Sequence, residues 1–206
     1  MRFPVTIKGT GSGNRAKVDA NKQFHTFSIT ESVIQDAVEK GNAYNINTGT
    51  IGLTSATESA VLYFKNDESP VNGESAISID AIAVGIDDEG TTAGMSTITI
   101  VRNPTAGTIV SGASAVSMNQ NRNFGSSQTL ASTTLAYKGA EGNTLTDGDD
   151  IALFYQQPGT RGYYTVDLLL EKGSSVGVKI DTDTSSGTTN LYVALICHRI
   201  DGSNET

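Results

Sequence analysis

The apolar residues of this chain come in short runs rich in Val, Ile, Thr and Tyr, and that pattern constrains the fold more than any other feature. Such runs lie at 61–64 (VLYF), 75–86 (SAISIDAIAVGI), 95–102 (MSTITIVR), 151–156 (IALFYQ), 163–170 (YYTVDLLL), 176–181 (VGVKID) and 190–200 (NLYVALICHRI). Between them the chain is Gly, Ser, Thr, Asn and Asp. β-branched and aromatic side chains fit a pleated surface, and the intervening residues are those that turns require. Many such runs in one chain predict an all-β sandwich or barrel. At 206 residues the chain can bury a self-sufficient core, so folding requires neither a disulfide nor a structural metal.

One segment has helical spacing. In 31–40 (ESVIQDAVEK) the residues Val33, Ile34, Ala37 and Val38 form one apolar stripe, with Thr30 as N-cap, Glu31 in the first turn, Lys40 in the last and Gly41 as the stop. A helix of this length is expected to plug one end or edge of the sheets. Acidic residues on its polar face (Glu31, Asp36, Glu39) argue against a membrane surface. The first thirty residues are poor in large apolar side chains. FPVTIKG (3–9), the Gly-rich turn 9–14 and two short strands around DANKQ suit an arm or hairpin lying on another surface. Two parts are therefore expected: 1–30 as the arm and 31–206 as the sandwich.

Turns are predicted at Asn47–Gly49, making 43–55 a hairpin, and at Asn72–Gly73, Asp87–Gly90 and Asn103–Gly107. The tract 111–134 is long and polar, with Val116, Met118, Phe124 and Leu130 as its few anchors. A loop of that length is expected to be functional or ordered by a partner, or else to cross between two sheets. The run 163–170 alternates weakly, since only Thr165 and Asp167 are polar. It is expected to be buried on much of both faces, in a sandwich core or a subunit interface.

Little in the sequence points to catalysis. Cys197 is the single cysteine and lies in an apolar run, which suits a buried, inert thiol. His198 is adjacent to it, so on a strand the two side chains point to opposite faces, and His25 is distant in sequence. The acidic groups at 87–89, 147–150 and 181–183 offer oxygen atoms to a cation. However, the twelfth position counted from Asp181 is Tyr192, where a calcium loop needs a bidentate Glu, and Asp beside Gly is ordinary turn chemistry. Gly9, Gly11 and Gly13 lack the Lys-Ser/Thr ending of a phosphate loop, and Asn204-Glu-Thr is a glycosylation triplet without a secretion signal to give it meaning. Twenty-two acidic residues would allow a glycosidase pair; the chain has no Trp to line a sugar cleft, although its seven tyrosines could take that part.

Fourteen basic against 22 acidic residues give a net charge of −8, with no Lys/Arg cluster to neutralise phosphates, so nucleic acid is not an expected partner. No apolar stretch reaches membrane-spanning length, and MRFPVTIKG lacks a signal-peptide core. Synthesis in the cytoplasm as a soluble protein is the expectation.

Several strings resemble structural proteins of tailed-bacteriophage virions. They are Gly11–Ser12–Gly13, Ala16–Lys17–Val18–Asp19, Phe24–His25–Thr26, Thr30–Glu31, the stretch Ala43 to Gly49 and the stretch Val61 to Asn66. Further along they include Asn121–Arg122–Asn123, Gly142–Asn143–Thr144 and the stretch Leu170 to Gly177. The chain is most similar to capsid decoration, or cement, proteins. That resemblance implies an all-β, jelly-roll-like antiparallel β-sandwich with an extended N-terminal arm or hairpin and one short helix. It also implies a homotrimer on the capsid exterior that clamps neighbouring major-capsid subunits, with no catalytic residue and no cofactor. Candidate subunit or capsid contacts are Arg2, Phe3, Pro4, Val5 and Ile7 in the arm, with Met118 and Phe124 in the long loop. The alternative is a tail, baseplate or head-fibre protein that binds a host-surface glycan through 111–134 and exposed tyrosines.

Overall fold

The computed structural model describes residues 17–18, 24–25, 32–54, 57–70, 75–87, 94–116, 120–183 and 187–200. The chain divides into two compact units, Met1–Ser32 and Val33–Thr206. In the first, β1 (Lys17–Val18) pairs antiparallel with β2 (Phe24–His25), Lys17 lying opposite His25. The rest of the expected arm lies outside the described residues, including Arg2, Phe3, Pro4, Val5 and Ile7. So do Thr30, Glu31 and the Asn72–Gly73 turn.

The second unit is a two-sheet antiparallel sandwich. Its strands are β3 (Ala43–Asn47), β4 (Ile51–Leu53), β5 (Ser59–Lys65), β6 (Ile77–Ile86), β7 (Ser96–Arg102) and β8 (Ser114–Ala115), then β9 (Leu135–Lys138), β10 (Asp149–Gln156), β11 (Arg161–Leu170), β12 (Ser175–Asp181) and β13 (Thr189–Arg199). One sheet runs β11-β6-β13-β3, with β4 also on β13; the other runs β10-β7-β12-β5-β9-β8. Setting aside the short β4, β8 and β9, eight strands wind between two four-stranded layers, which is a jelly roll. Every apolar run picked out by composition is one of these strands. Inward-facing residues such as Ile46, Phe64, Ile79, Ile82, Ile100 and Val178 fill the space between the sheets. Each fully buried side chain of this size contributes roughly 1.5–3 kcal/mol relative to exposure.

Four local expectations change. Residues 43–53 are not a hairpin. β3 and β4 both pair with β13, Asn47 opposite Ala194 and Ile51 opposite Leu191, so they are one interrupted edge strand. The kink between them is held by side chains: Gly49 N–H donates to Asn47 Oδ1 at 2.7 Å, and Val193 N–H donates to Thr48 Oγ1 at 3.0 Å. Turn chemistry is present, but the Asx turn bends the strand instead of reversing it.

The first helix, α1 (Val33–Glu39), closes as expected at Gly41, whose φ is 73°. Gly41 N–H bonds Val38 O and Asn42 N–H bonds Ala37 O, the paired bonds of a Schellman motif. Its apolar stripe is only partly used, however: Ala37 is buried while Val33 is 70% exposed. A second helix, α2 (Thr108–Gly112), was not expected, because five residues in a Gly/Ser tract carry no readable period. It seats Ile109 against Ala60 and Tyr63.

The fourth change concerns β11, which is not buried on both faces. Its odd-numbered residues are exposed, with Tyr163 at 64% and Leu169 at 57%. The strand is an edge strand and nothing among the described residues covers its outer face.

Candidate interaction surface

The two long sides of the sandwich are built differently. Between β7 and β10 the chain makes an excursion (103–148) that crosses to the β3/β5 side. There β9 pairs with β5 and β8 pairs with β9. Further along, Asn121 bridges Tyr44 on the outer edge of β3, through Asn45 N–H to Gln120 O (3.0 Å) and Arg122 N–H to Ala43 O (2.9 Å). One insertion thus covers the exposed edges of both sheets, a recognised way to blunt edge strands.

The insertion is pinned by side-chain amides. Asn121 Nδ2 donates to Gly41 O at 2.7 Å and to Gln128 O at 3.1 Å, while Asn123 N–H donates to Asn121 Oδ1. Asn123 Nδ2 reaches the last-turn carbonyl of Glu39 in α1. Val116 and Leu130 drop into the core. Phe124 does the opposite and stands fully exposed at the tip. Of the expected loop contacts, then, Phe124 is presented to solvent and Met118 lies outside the described residues.

The opposite side, formed by β10 and β11, carries no such cover among the described residues. Each is the terminal strand of its sheet. Their inward faces are joined: the Phe154 and Tyr164 rings stack at 4.3 Å, and Tyr164 Oη donates to Gln156 Oε1 at 2.9 Å. Gln156 Nε2 in turn donates to Val84 O and Thr160 O. Their outward faces hold Ile151, Leu153, Tyr155, Tyr163 and Leu169, all at least two-fifths exposed. Two unpaired backbone edges flanked by large apolar side chains are the signature of a surface that another chain covers.

The ionisable groups are built into the fold. Cys197 is wholly buried between β3 and β6, and burial pushes its thiol up to about 12. His198 Nδ1 lies 3.0 Å from Asp80 Oδ1, an acid set in the bulge of β6 opposite Ile196 and Cys197. The register puts Cys197 opposite Tyr44 and His198 opposite Ala43, so the neighbours face opposite ways. Tyr44 is raised from its ordinary 10.0 by burial, against the pull of the nearby Arg199 charge.

Among the described residues, the acidic groups at 147–150 and 181–183 serve turns and ion pairs. Asp147 accepts from Thr105 N–H and Ala106 N–H, each at 2.8 Å, and from the Thr105 hydroxyl, which hold its carboxyl below the usual 3.8. Asp149 pairs with Arg102 at 2.7 Å and Asp150 with Lys179 at 3.2 Å. Asp181 Oδ1 accepts from Asp183 N–H in a tight turn. Among the described residues, no three His, Cys, Asp or Glu side chains converge to hold a metal ion.

Sequence reasoning offered a subunit interface for 163–170 in β11 but did not single out 151–156 in β10, although the signal was present there too. Both runs carry large apolar residues at alternate positions that a single core cannot hold on both faces. Telling an uncovered face from a core face required the strand order.

No family model matches the chain, and none of the curated proteins matches it. Among solved structures it is similar to a mitogen derived from Yersinia pseudotuberculosis, with 13% identity and a TM-score of 0.31. The match covers 79% of this chain and 92% of that one. So loose a superposition transfers nothing about function.

Proposed function

We propose that this chain is a non-enzymatic structural protein of a tailed-phage virion, decorating the capsid exterior as a homotrimer and clamping neighbouring major-capsid subunits. The observation that carries the reading is the asymmetry of the sandwich: one side finished by its own insertion, the other ending in two apolar strand edges. Strand addition across such edges supplies main-chain hydrogen bonds, and the alternate side chains supply fit. Covering the exposed part of each large apolar residue contributes roughly 1 kcal/mol, and repetition over a symmetric assembly multiplies modest contacts. The resemblance of the sequence to cement proteins supports the same reading, with the arm residues Arg2, Phe3, Pro4, Val5 and Ile7 as the capsid hook.

The test uses the full-length chain. Sedimentation equilibrium should give a trimer that Leu153→Asp with Tyr163→Asp converts to a folded monomer. Pelleting with expanded capsids should be lost on Phe3→Ser with Ile7→Ser. A monomeric wild type that does not pellet with capsids would remove the reading. The alternative, host-glycan recognition by a tail, baseplate or head-fibre protein, is favoured by one feature: the exposed Phe124 on its pinned loop. Loss of host-cell adsorption on Phe124→Ala, with capsid binding absent, would select it.

A further inference from the structure

The outer face of the β11-β6-β13 sheet also carries a groove at the end where β11 begins. In register across the three strands lie Arg161, Gly85 and Tyr192. Residues directly opposite one another share a face, and the buried Leu191 and Val193 on either side of Tyr192 fix that face as the outer one. Gly85 is required here. A Cβ at this position would sit 2.1 Å from Tyr192 Cε1, so the tyrosine ring lies directly on the Gly85 backbone.

The groove above has a volume of about 480 Å³, within the range of small-ligand sites, and Thr50, Asp87, Arg161, Asn190 and Tyr192 border it. Its walls are tied: Asp87 N–H donates to Asn190 O at 2.8 Å and Ile86 N–H to Thr160 O at 3.1 Å. The next row across the same strands is Tyr163, Ala83 and Ala194. At the groove itself the Tyr192 ring covers Gly85, with Arg161 on the far strand of the same row.

We infer that this groove binds a carboxylated saccharide, with Tyr192 as its platform and Arg161 as its anion-recognising group. A pyranose has an apolar C–H face and a rim of hydroxyls. A tyrosine ring held flat by Gly85 suits the face, and the Asn190 amide, with both donor and acceptor, suits neighbouring hydroxyls. The guanidinium fork matches a carboxylate in two parallel hydrogen bonds. Adjacent strands lie about 4.8 Å apart, so the stems of Arg161 and Tyr192 stand roughly 10 Å apart, and the Tyr192 ring lying over Gly85 extends from one towards the other. Since the chain carries a net charge of −8, a polyanion gains nothing from its overall field. Recognition must come from the local Arg161 contact. This inference shares only Arg161, at the start of β11, with the side used by the capsid reading, and it does not use the arm.

Backbone-amide NMR titrations of the full-length protein test it, with trigalacturonate and sialyllactose as carboxylated probes, lactose as the neutral probe and citrate as a plain anion. The expected result is saturable shifts at Gly85, Asn190 and Tyr192 with at least one carboxylated sugar. Tyr192→Ala should weaken that binding at least tenfold. Gly85→Ala, which lifts the ring without removing it, should also weaken it, and Arg161→Gln should abolish the preference over lactose. Capsid pelleting by Tyr192→Ala should be unchanged, which separates failure here from failure of the capsid reading. The inference is overturned by no saturable shift with either acidic sugar, by equal shifts with citrate or lactose, or by a folded Tyr192→Ala variant that binds like wild type.

Discussion

Glu68 and Arg199 form an ion pair 3.3 Å long inside the fold, with the Glu68 side chain 2% exposed. The acid also accepts from Ala131 N–H and from Thr134 Oγ1, both at 2.6 Å, so one carboxylate ties the last strand to the part of the insertion just before β9. Buried pairs contribute little net stability compared with an apolar replacement, but removing one partner strands the other. Glu68→Ala should therefore lower unfolding free energy by about 3–5 kcal/mol, and Arg199→Met with Glu68→Leu by markedly less. Urea titration of the three proteins checks this.

Asn121 is the second fastening of the insertion, with two side-chain donations and one acceptance. Asn121→Ala should cost about 1–3 kcal/mol through carbonyls left unsatisfied. Its specific mark is local. The Asn45 and Arg122 amides should exchange with solvent faster, while amides in the centre of β6 stay protected. Uniform loss of protection would count against a separate fastening.

Acid should reach the junction closed by Asp147 only below the ordinary carboxylate range. Its folded pKa lies below the ordinary 3.8, so the stabilisation it gives is present above that value and is lost as pH falls through the lower folded value. Below pH 3.8 the amide resonances of Thr105 and Ala106 should move, and Asp147→Asn should remove that transition. A pH titration followed by NMR reads both.

Cys197 should be silent to thiol reagents in the native state. With its thiol pushed from 9.0 to about 12 by burial, the neutral form is favoured by folding. The sign follows: this stabilisation is present below 9.0 and fades as pH rises towards 12. A disulfide reagent at pH 8 should label the protein only in denaturant, and Cys197→Ser should flatten part of the alkaline loss of stability. Prompt native labelling would contradict the burial.

The elements legible in the sequence were those where local chemistry and tertiary context agree. The seven apolar runs are strands because β-branched side chains and buried faces favour the same conformation. Gly41 ends α1 because only glycine readily takes its positive φ. Asn47–Gly49 misled, since an Asx turn inside an edge strand looks like a hairpin turn until β13 is seen to pair with both halves. Likewise a core strand and a subunit interface could not be told apart for 163–170, because the exposure of Tyr163 and Leu169 depends on β11 being terminal in its sheet. Of the candidate contacts, Phe124 could be picked out as an apolar residue in a polar tract. Tyr192 and Gly85 could not, because their meeting depends on the β6–β13 register, which no local pattern encodes.

On the proposed function, this jelly roll works by joining protein surfaces on a virion. Cryo-electron microscopy of expanded tailed-phage capsids incubated with the full-length chain is the decisive measurement. The prediction is three copies of the sandwich around local three-fold positions on the outer capsid, with β10 and β11 covered and the first residues reaching across a boundary between capsid subunits. Particles lacking the chain, or carrying it with the β10/β11 side open to solvent, would contradict the claim.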